Sequence, residues 1–191
     1  MAGFFQFFKA ALKNPLQLST PFESSPRVGR LFARNLRLRD DQVVVELGVG
    51  AGAITDEVLP ALKSRKQYVG FELNEGLYKF LKEKKYPDLE FHNTSAENLI
   101  EKLRGRKVGA VISTLPWSLF PKDVRERILD QVLASLDPGG TFSVFVAMHV
   151  LWAPSMRALF ADLQRRFPDY TYVDEPLNLP PCRLYFMRKR D

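Results

Sequence analysis

The chain of 191 residues is long enough for one substantial domain and short for two. Hydrophobic residues make up 46% of it and charged residues 26%, which is typical of a folded globular protein and argues against a disordered one. The formal net charge is +6, and no apolar run approaches the roughly 20 residues that a membrane-spanning helix needs.

The basic charge is concentrated at the beginning of the chain. Residues 1–40 contain seven lysines and arginines against two acidic residues, a net charge of +5, and the other residues are nearly neutral. This distribution predicts an anionic partner, either nucleic acid or an acidic membrane surface. The single cysteine, Cys182, excludes an internal disulfide and favours a reducing, cytoplasmic location.

Residues 3–13 have the periodicity of an amphipathic helix. Its apolar face, at i, i+3, i+4, i+7 and i+8, consists of Phe4, Phe7, Phe8, Ala11 and Leu12. Lys9 and Lys13 fall on another face, and Asn14-Pro15 ends the pattern because the residue before a proline is disfavoured in a helix. The helix either lies at a membrane interface or packs on the body of the protein.

A second helix is predicted to begin with Ser24 or Ser25 as its N-cap and Pro26 in its first turn. One side of this helix is apolar. Another side carries a basic stripe at i, i+3, i+7 and i+10, which consists of Arg27, Arg30, Arg34 and Arg37. The stripe is either a solvated helix face or a set of phosphate ligands.

From residue 42 onward, short apolar runs alternate with helical patterns. The predicted strands are QVVVEL, QYVGFE, LEFHN, VGAVIS and TFSVFVAM, and the predicted helices cover residues 53–62, 74–85, 96–103, 122–136 and 155–167. An Asp-Pro-Gly-Gly turn is predicted at residues 137–140. The βαβ alternation predicts a mostly parallel sheet with helices on both faces. Two last runs, YTYV and RLYFM, predict an antiparallel hairpin at its edge, which makes seven strands.

The segment VVVELGVGAGAIT runs from the first strand through a glycine-rich turn into a helix. Gly48, Gly50 and Gly52 allow the backbone to approach a ligand closely at the carboxyl end of the strand. Their spacing differs from the G-x-G-x-x-G of nicotinamide dinucleotide-binding proteins. Glu46 is able to accept a hydrogen bond from a ligand ammonium, and Glu72, at the end of the second strand, from both hydroxyls of a ribose.

The E-x-G-x-G-x-G pattern, with an acid at the end of the second strand, resembles the S-adenosylmethionine site of the Rossmann-like class I methyltransferases. The resemblance implies S-adenosylmethionine as the donor and S-adenosylhomocysteine as the product. It also implies that HNTSAENL, after the third strand, forms the adenine pocket. The further cofactor contacts that it implies are Leu73, Ser95, Ala96, Glu97 and Ser113. Glu97 either replaces the aspartate that many relatives have at position 95 or belongs to the first turn of the next helix.

Three other stretches resemble bacterial phospholipid N-methyltransferases. They are FFKAALKNPLQLSTPFESSPRVGRLFARNL, STLPWSLFP and EPLNLPPCRLYFMRKR, and the resemblance runs nearly from end to end. It implies stepwise methylation of phosphatidylethanolamine, through its mono- and dimethyl forms toward phosphatidylcholine, by a peripheral protein on the cytoplasmic face of the membrane. It also divides the chain into N-terminal helices for membrane and substrate, residues 1–39, and a methyltransferase domain, residues 40–191.

The N-terminal helices are then predicted to hold the membrane and the lipid. The predicted membrane residues are Phe4, Phe5, Phe7, Phe8, Lys9, Leu12 and Lys13. The residues predicted to contact the lipid headgroup are Ser24, Ser25, Arg27, Arg30 and Arg34.

Two residues are candidates for the chemistry itself. His149, at the end of the fifth strand, is the candidate general base, with water or backbone carbonyls as the alternative; His92 is the weaker candidate. Trp117 is the candidate aromatic wall for the methylated cation, with Trp152 and Tyr172 as substitutes and core packing as the rival interpretation. No metal site is predicted, because the histidines and the cysteine lack ligand spacing.

The alternative enzyme is an RNA or adenine N-methyltransferase, which TLPW and the basic N-terminal charge favour. That interpretation leaves the phenylalanine-rich helix unexplained, so a nucleic acid partner is not expected. Methylation of another amino-lipid is a further alternative. A membrane-binding module with a vestigial cofactor site is disfavoured by the intact glycine loop and its two glutamates.

Overall fold

The computed structural model describes residues 25–190, which form a seven-stranded sheet with helices on both faces. The strands are β1 (Gln42–Leu47), β2 (Tyr68–Phe71), β3 (Glu90–His92), β4 (Lys107–Ser113), β5 (Leu136–Ala147), β6 (Asp169–Glu175) and β7 (Cys182–Arg188). Their order across the sheet is β3-β2-β1-β4-β5-β7-β6. The first five strands are parallel, and β7 is antiparallel to both β5 and β6. The predicted sheet with its terminal antiparallel hairpin is confirmed.

Six α-helices cover the sheet within residues 25–190. They are α1 (Pro26–Arg34), α2 (Ala53–Val58), α3 (Glu75–Lys79), α4 (Leu99–Leu103), α5 (Lys122–Ser135) and α6 (Pro154–Arg166). Several are shorter than predicted and continue as other helical turns. A 3₁₀ turn at Leu59–Ala61 follows α2, because Pro60 has no N–H to extend the α-helical ladder. The helix predicted over residues 74–85 is α3 followed by a π-helix at Phe80–Lys85. The helix predicted at residues 3–13 lies outside the described residues.

The turn predicted at residues 137–140 is wrong in its placement, because these residues lie within β5. Val108 of β4 pairs with Leu136, while Ala110 pairs with Thr141, so the extra residues of β5 form a bulge. Gly139 adopts a φ of 73° in this bulge. The Asp-Pro-Gly-Gly pattern therefore marks a bulge that interrupts the strand pairing, and not a turn that precedes the strand.

Each face of the sheet has its own hydrophobic core. On one face, α4, α5 and α6 cover alternate side chains of β1 and β4, such as Val43, Val45 and Val111. On the other face, α1 and α2 cover Val44 and Ala110. Because both faces are covered, every residue of β1 is buried, as in other parallel sheets. Within the described part of the chain, no helix is both long and apolar enough to cross a bilayer.

The helix that carries the arginines is packed into the second core. Val28 and Phe32 of α1 are buried beside Cys182 and Leu184 of β7. Gly29 faces α2 so closely that a Cβ atom added to it would lie 2.7 Å from the Glu57 Cβ. The described part of the predicted N-terminal segment, residues 25–39, thus shares a core with the sheet.

We predict that Gly29→Ala weakens the packing of α1. Alanine normally stabilises a helix by about 1 kcal/mol relative to glycine, but here the clash with the Glu57 Cβ, which cannot rotate away, should reverse the sign and cost about 1–3 kcal/mol. Hydrogen exchange of the α1 amides and urea denaturation measure the effect. Gly76→Ala in α3 is the control, since its Cβ would meet only the Asn74 Oδ1, at 3.3 Å. A Gly29→Ala protein as stable as the control would contradict the close packing.

Candidate active site

The glycine-rich loop between β1 and α2 combines close packing with one open position. Gly48, Gly50 and Gly52 have φ values of 81°, 60° and 88°, a region that favours glycine. A Cβ atom on Gly48 would lie 3.1 Å from Leu115, and one on Gly52 would lie 2.9 Å from Tyr86. A Cβ atom on Gly50 would meet no atom within 4 Å. The loop is therefore held at its two ends and open to a ligand at its centre.

Glu72 ties the centre of this loop to the end of β2. One carboxylate oxygen accepts a hydrogen bond from the Gly50 N–H at 2.8 Å, and the other accepts one from the Asn74 N–H at 2.8 Å. Burial raises the pKa of the Glu72 carboxyl above its usual value, and the hydrogen bonds from the Asn74, Gly50 and Leu73 amides oppose that shift. Each oxygen keeps further lone pairs for a ligand.

A cavity of about 120 Å³ lies at the carboxyl ends of β1, β2, β3 and β4. Six of the predicted cofactor residues line it, and they are Gly48, Glu72, Leu73, Ser95, Ala96 and Glu97. The remaining lining residues are Phe71, Thr94, Thr114, Leu115, Pro116, Phe120, Val124 and Ile128. The structure thus brings together the loop, the acid predicted to bind the ribose and the segment predicted to bind the adenine. Mostly apolar walls with a few polar groups are the composition expected of a small-molecule site.

Glu97 has a structural partner as well as a place in the cavity wall. Its carboxylate accepts hydrogen bonds from the Ser95 hydroxyl at 3.1 Å and from the Arg127 Nε of α5 at 2.7 Å. The Ser95 hydroxyl in turn accepts one from the Glu97 N–H, at 3.2 Å. Glu97 lies in the first helical turn, Ala96–Asn98, and also lines the cavity, while its contact with the adenine stays a prediction.

Glu46 lies beneath the loop and is not part of the cavity wall. It is fully buried, and its Oε2 accepts hydrogen bonds from the Thr55 hydroxyl at 2.8 Å and the Tyr68 hydroxyl at 2.7 Å. Its Oε1 has no hydrogen-bond partner within the described residues. Burial raises the pKa of this carboxyl to about 7, against the opposing effect of the two hydroxyls. These contacts give Glu46 a role in supporting the loop, and direct contact with the donor's ammonium stays a prediction.

The segment after β4 closes the other side of the cavity. The Thr114 hydroxyl donates to the Gly48 carbonyl at 2.6 Å, which joins this segment to the glycine loop. Ser113 is fully buried, and its hydroxyl accepts from the Trp117 Nε1 at 3.1 Å. Ser113 therefore does not line the cavity, and its predicted cofactor contact has no support from its position.

The prediction for Trp117 is wrong. Its side chain is 2% exposed and packs edge-on against Phe120 and Phe142 in the core, so it presents no face to a cationic product. The rival interpretation, core packing, is the one that the structure supports. Of the two substitutes, Trp152 is 80% exposed after β5, and Tyr172 lies on the edge strand β6 beneath the Arg183 guanidinium, 4.1 Å away.

The two histidines lie at the carboxyl edge of the sheet. His149 is exposed in the 3₁₀ turn Met148–Val150, directly after β5. His92 ends β3, and its Nε2 is 2.8 Å from a Glu90 carboxylate oxygen. The predicted position of His149 is confirmed, while its role as a base stays a prediction.

The arginines of α1 differ in their partners. The Arg27 Nε pairs with the Glu175 carboxylate at 2.6 Å, and Glu175 is only 2% exposed. The Arg30 Nη1 lies 3.5 Å from a Glu57 carboxylate oxygen. Arg34 is exposed and has no ion pair within residues 25–190. Arg27 and Arg30 thus have structural partners, which leaves Arg34 the freest of the three for a headgroup.

The start of α1 lies at the same edge of the sheet as the cavity. The Ser25 N–H donates to the Asn178 Oδ1 at 2.9 Å, in the loop between β6 and β7. That loop begins where Glu175 pairs with Cys182 and Cys182 pairs with Ala147, at the carboxyl end of β5. Ser24 and the predicted membrane residues Phe4, Phe5, Phe7, Phe8, Lys9, Leu12 and Lys13 lie outside the described residues.

Sequence reasoning missed several residues that support the site. Thr114 bonds to the glycine loop, and the Asn93 Nδ2 donates to the Glu72 and Leu73 carbonyls at 2.8 and 3.2 Å. The Tyr86 hydroxyl donates to the Gly52 carbonyl at 3.1 Å. Asn93 and Thr114 both follow strand ends directly, and that position was the available signal.

Comparison with known proteins agrees with this site. Residues 44–140 match the family model described as a methyltransferase domain. The O-methyltransferase TomG from Streptomyces achromogenes, solved with S-adenosylmethionine, superposes with a TM-score of 0.73 at 16% identity, over 97% of this chain and 89% of that one. An O-methyltransferase from Bacillus cereus in complex with S-adenosylhomocysteine gives 0.71 at 11% identity, over 99% and 90%. The chain belongs to the class I S-adenosylmethionine-dependent methyltransferases, and S-adenosylmethionine is its cofactor.

Within that class, one relative matches along its whole length. The chain is 30% identical to an ornithine lipid N-methyltransferase from Singulisphaera acidiphila, over 98% of this chain and 97% of that protein. It is also 27% identical to ribosomal RNA small subunit methyltransferase A from Thermotoga neapolitana, over 64% of this chain. The second match covers only 45% of the relative.

We predict that Glu46 makes the stability of the protein depend on pH. Its pKa of about 7 in the folded protein exceeds the ordinary 4.5, so folding takes up a proton between these values. The free energy of unfolding should therefore fall as the pH rises from about 4.5 to 7, by up to about 3 kcal/mol.

Urea denaturation at several pH values tests this, with Glu46→Gln as the variant. As the pH rises toward 7, the free energy of unfolding of the wild type should fall relative to that of Glu46→Gln. Above pH 7 the difference between the two should stay constant. Glu126→Gln, in α5, is the control and should keep the wild-type slope, because its carboxylate is half exposed. If the free energy of unfolding has the same pH dependence in the wild type and in Glu46→Gln, the raised pKa of Glu46 is contradicted.

Proposed function

We propose that the protein transfers methyl groups from S-adenosylmethionine to the amine of a membrane lipid, with phosphatidylethanolamine and its mono- and dimethyl forms as substrates. The observation that carries the proposal is the match to an ornithine lipid N-methyltransferase over 97% of that protein's length. Unlike the family model, this match includes the N-terminal segment and the loop between β6 and β7.

The geometry supports a division of the sheet edge into a donor side and an acceptor side. When bound, S-adenosylmethionine supplies an electrophilic methyl group on a positively charged sulfur. We assign the ribose to Glu72 and the purine to the wall formed by residues 94–97. The acceptor amine then belongs near Thr114, Leu115 and Pro116, which line the other wall of the same cavity. If the acceptor nitrogen is held about 3 Å from the methyl carbon and in line with the bond from that carbon to sulfur, much of the barrier to transfer is already removed.

The acceptor amine must lose a proton before it can react. A primary amine with a pKa near 10 is about one part in a thousand neutral at pH 7. Removing water from the headgroup lowers that pKa, and the apolar side chains of Leu115, Pro116 and Phe120 suit that role. His149 is the proposed acceptor of the proton, since it lies at the same edge and is open to solvent. The cationic product would leave toward the exposed Trp152 rather than the buried Trp117.

The membrane is the proposed partner, because a two-tailed lipid does not leave it readily. Ser25, at the start of α1, is bonded to Asn178 at the edge of the sheet that holds the cavity. We propose that the phenylalanine-rich segment of residues 3–13 binds the same membrane surface. The net charge of +5 in residues 1–40 favours an anionic surface, at roughly 1 kcal/mol for each basic residue near it.

A second candidate function is RNA N-methylation. The match to a ribosomal RNA methyltransferase and the sequence Leu115-Pro116-Trp117 favour it. The match spans less than half of that relative, and the end-to-end match is to a lipid-modifying enzyme. The same assay distinguishes the two functions.

Incubation with labelled S-adenosylmethionine is the test of the proposed function. Vesicles of phosphatidylethanolamine, vesicles that contain ornithine lipid, and ribosomal RNA are offered in separate reactions, and the products are identified. We expect label in phosphatidylethanolamine and its methylated forms. Label in ornithine lipid alone would retain amino-lipid methylation and overturn the phosphatidylethanolamine assignment. Label in RNA and in no lipid would overturn the proposal as a whole.

The proposed anchor gives a separate prediction. Changing Phe4, Phe5, Phe7 and Phe8 together to serine should reduce flotation with phosphatidylethanolamine and phosphatidylglycerol vesicles at least tenfold, because each buried aromatic ring contributes on the order of 2 kcal/mol. Binding of S-adenosylmethionine should stay unchanged. If the variant floats as well as the wild type, the proposal that this segment anchors the protein to the membrane is contradicted.

A further inference from the structure

Four large apolar side chains are exposed in loops at the carboxyl edge of the sheet. Leu119 follows β4, Trp152 follows β5, and Leu177 and Leu179 lie between β6 and β7; their exposed fractions are 48%, 80%, 80% and 55%. Because β4, β5 and β6 run in the same direction, these loops share the edge that holds the cavity. We call these four residues the apolar rim.

The loops of the apolar rim are held by specific hydrogen bonds. The Met148 N–H donates to the Pro181 carbonyl at 2.8 Å, which joins the loop after β5 to the loop before β7. Asn178 lies between Leu177 and Leu179 in the sequence, and its Nδ2 donates to the Pro180 carbonyl at 2.8 Å. The Arg157 guanidinium donates to the Trp152 carbonyl at 3.2 and 3.3 Å. The exposed side chains therefore belong to loops of defined conformation.

Basic side chains accompany the apolar rim. Lys122, three residues after Leu119, is 79% exposed, and Arg27, at the start of α1, is 62% exposed. Arg157 reaches the backbone of Trp152. Apolar side chains with lysine and arginine beside them are the composition expected at a bilayer interface, where tryptophan also concentrates.

We infer that the apolar rim enters the interface of the lipid bilayer and thereby presents the cavity to the lipid headgroups. This inference rests on the proposed function, because only a lipid substrate requires the cavity to face a membrane. It adds a second contact, made by the methyltransferase domain itself, to the N-terminal helix. With two contacts the domain has a fixed orientation, whereas a single helix would leave it free to turn.

Trp152 reports directly on this contact. The emission of Trp152 is the difference between the wild-type spectrum and that of Trp152→Phe, since Trp117 is buried in both proteins. On addition of phosphatidylethanolamine and phosphatidylglycerol vesicles, we expect this difference emission to shift to the blue and to be quenched by brominated acyl chains. An unchanged emission at vesicle concentrations that float the protein would overturn the inference.

A double variant tests whether the contact contributes to binding. Trp152→Ser with Leu177→Ser removes the two most exposed members, and vesicle flotation should fall about tenfold or more. Phe80→Ser with Ile100→Ser is the control for loss of exposed apolar side chains, because Phe80 and Ile100 are 43% and 44% exposed on helices outside the apolar rim. The control should float like the wild type, and both variants should bind S-adenosylhomocysteine. Equal flotation of the double variant and the control would overturn the inference.

Other occupants of the apolar rim give different results. If Trp152 emission is already blue-shifted without vesicles and turns red in the variant with Phe4, Phe5, Phe7 and Phe8 changed to serine, the protein's own N-terminal segment covers the rim, and the inference fails. A blue shift that depends on protein concentration alone would indicate a second copy, with the same consequence. Insertion of Trp152 without any lipid methylation would overturn the proposed function and leave the membrane contact standing.

Discussion

The hydrogen bonds of the Glu72 carboxylate hold the centre of the site together. A carboxylate that is buried at the end of β2 accepts the Gly50 amide from one side and the Asn74 amide from the other. Burying this charge is costly, and the amides offset that cost only while the glycine loop keeps its left-handed conformation. The loop, the end of β2 and the proposed ribose-binding carboxylate therefore form one unit.

The parallel sheet explains why the other components meet at this unit. The carboxyl ends of β1 to β5 lie at one edge of the sheet. The glycine loop, residues 94–97 and the segment after β4 therefore meet at the cavity without long connections. Thr114 bonds the acceptor side to the loop through the Gly48 carbonyl. Antiparallel β7 then returns the chain, so that the loop between β6 and β7 and the start of α1 reach the same edge. The proposed lipid substrate suits this arrangement, because a single surface contains the cavity, the exposed apolar side chains and the start of the basic helix α1.

Local patterns in the sequence were sufficient for the fold and for most of the donor site. Strand–helix alternation predicted the sheet, and Gly48 and Glu72 predicted the position of the cavity, because these residues are close in sequence to the strand ends that position them. The misplaced turn at residues 137–140 is a local failure, because a bulge within β5 has the sequence pattern of a turn. Other features depend on contacts that are distant in sequence: Trp117 packs against Phe142, Glu46 bonds to Tyr68, and Arg27 pairs with Glu175. Such contacts depend on packing that no single segment encodes.

The measurement closest to the central claim is the binding of S-adenosylhomocysteine to Glu72→Gln by calorimetry. Glutamine removes the charge and turns an N–H₂ group toward one of the two amides, so affinity should fall about tenfold to a hundredfold. Glu126→Gln, in α5 and outside the cavity wall, is the control and should bind like the wild type. Equal affinity of Glu72→Gln and the control would show that the loop and the donor do not depend on this carboxylate, and would contradict the account.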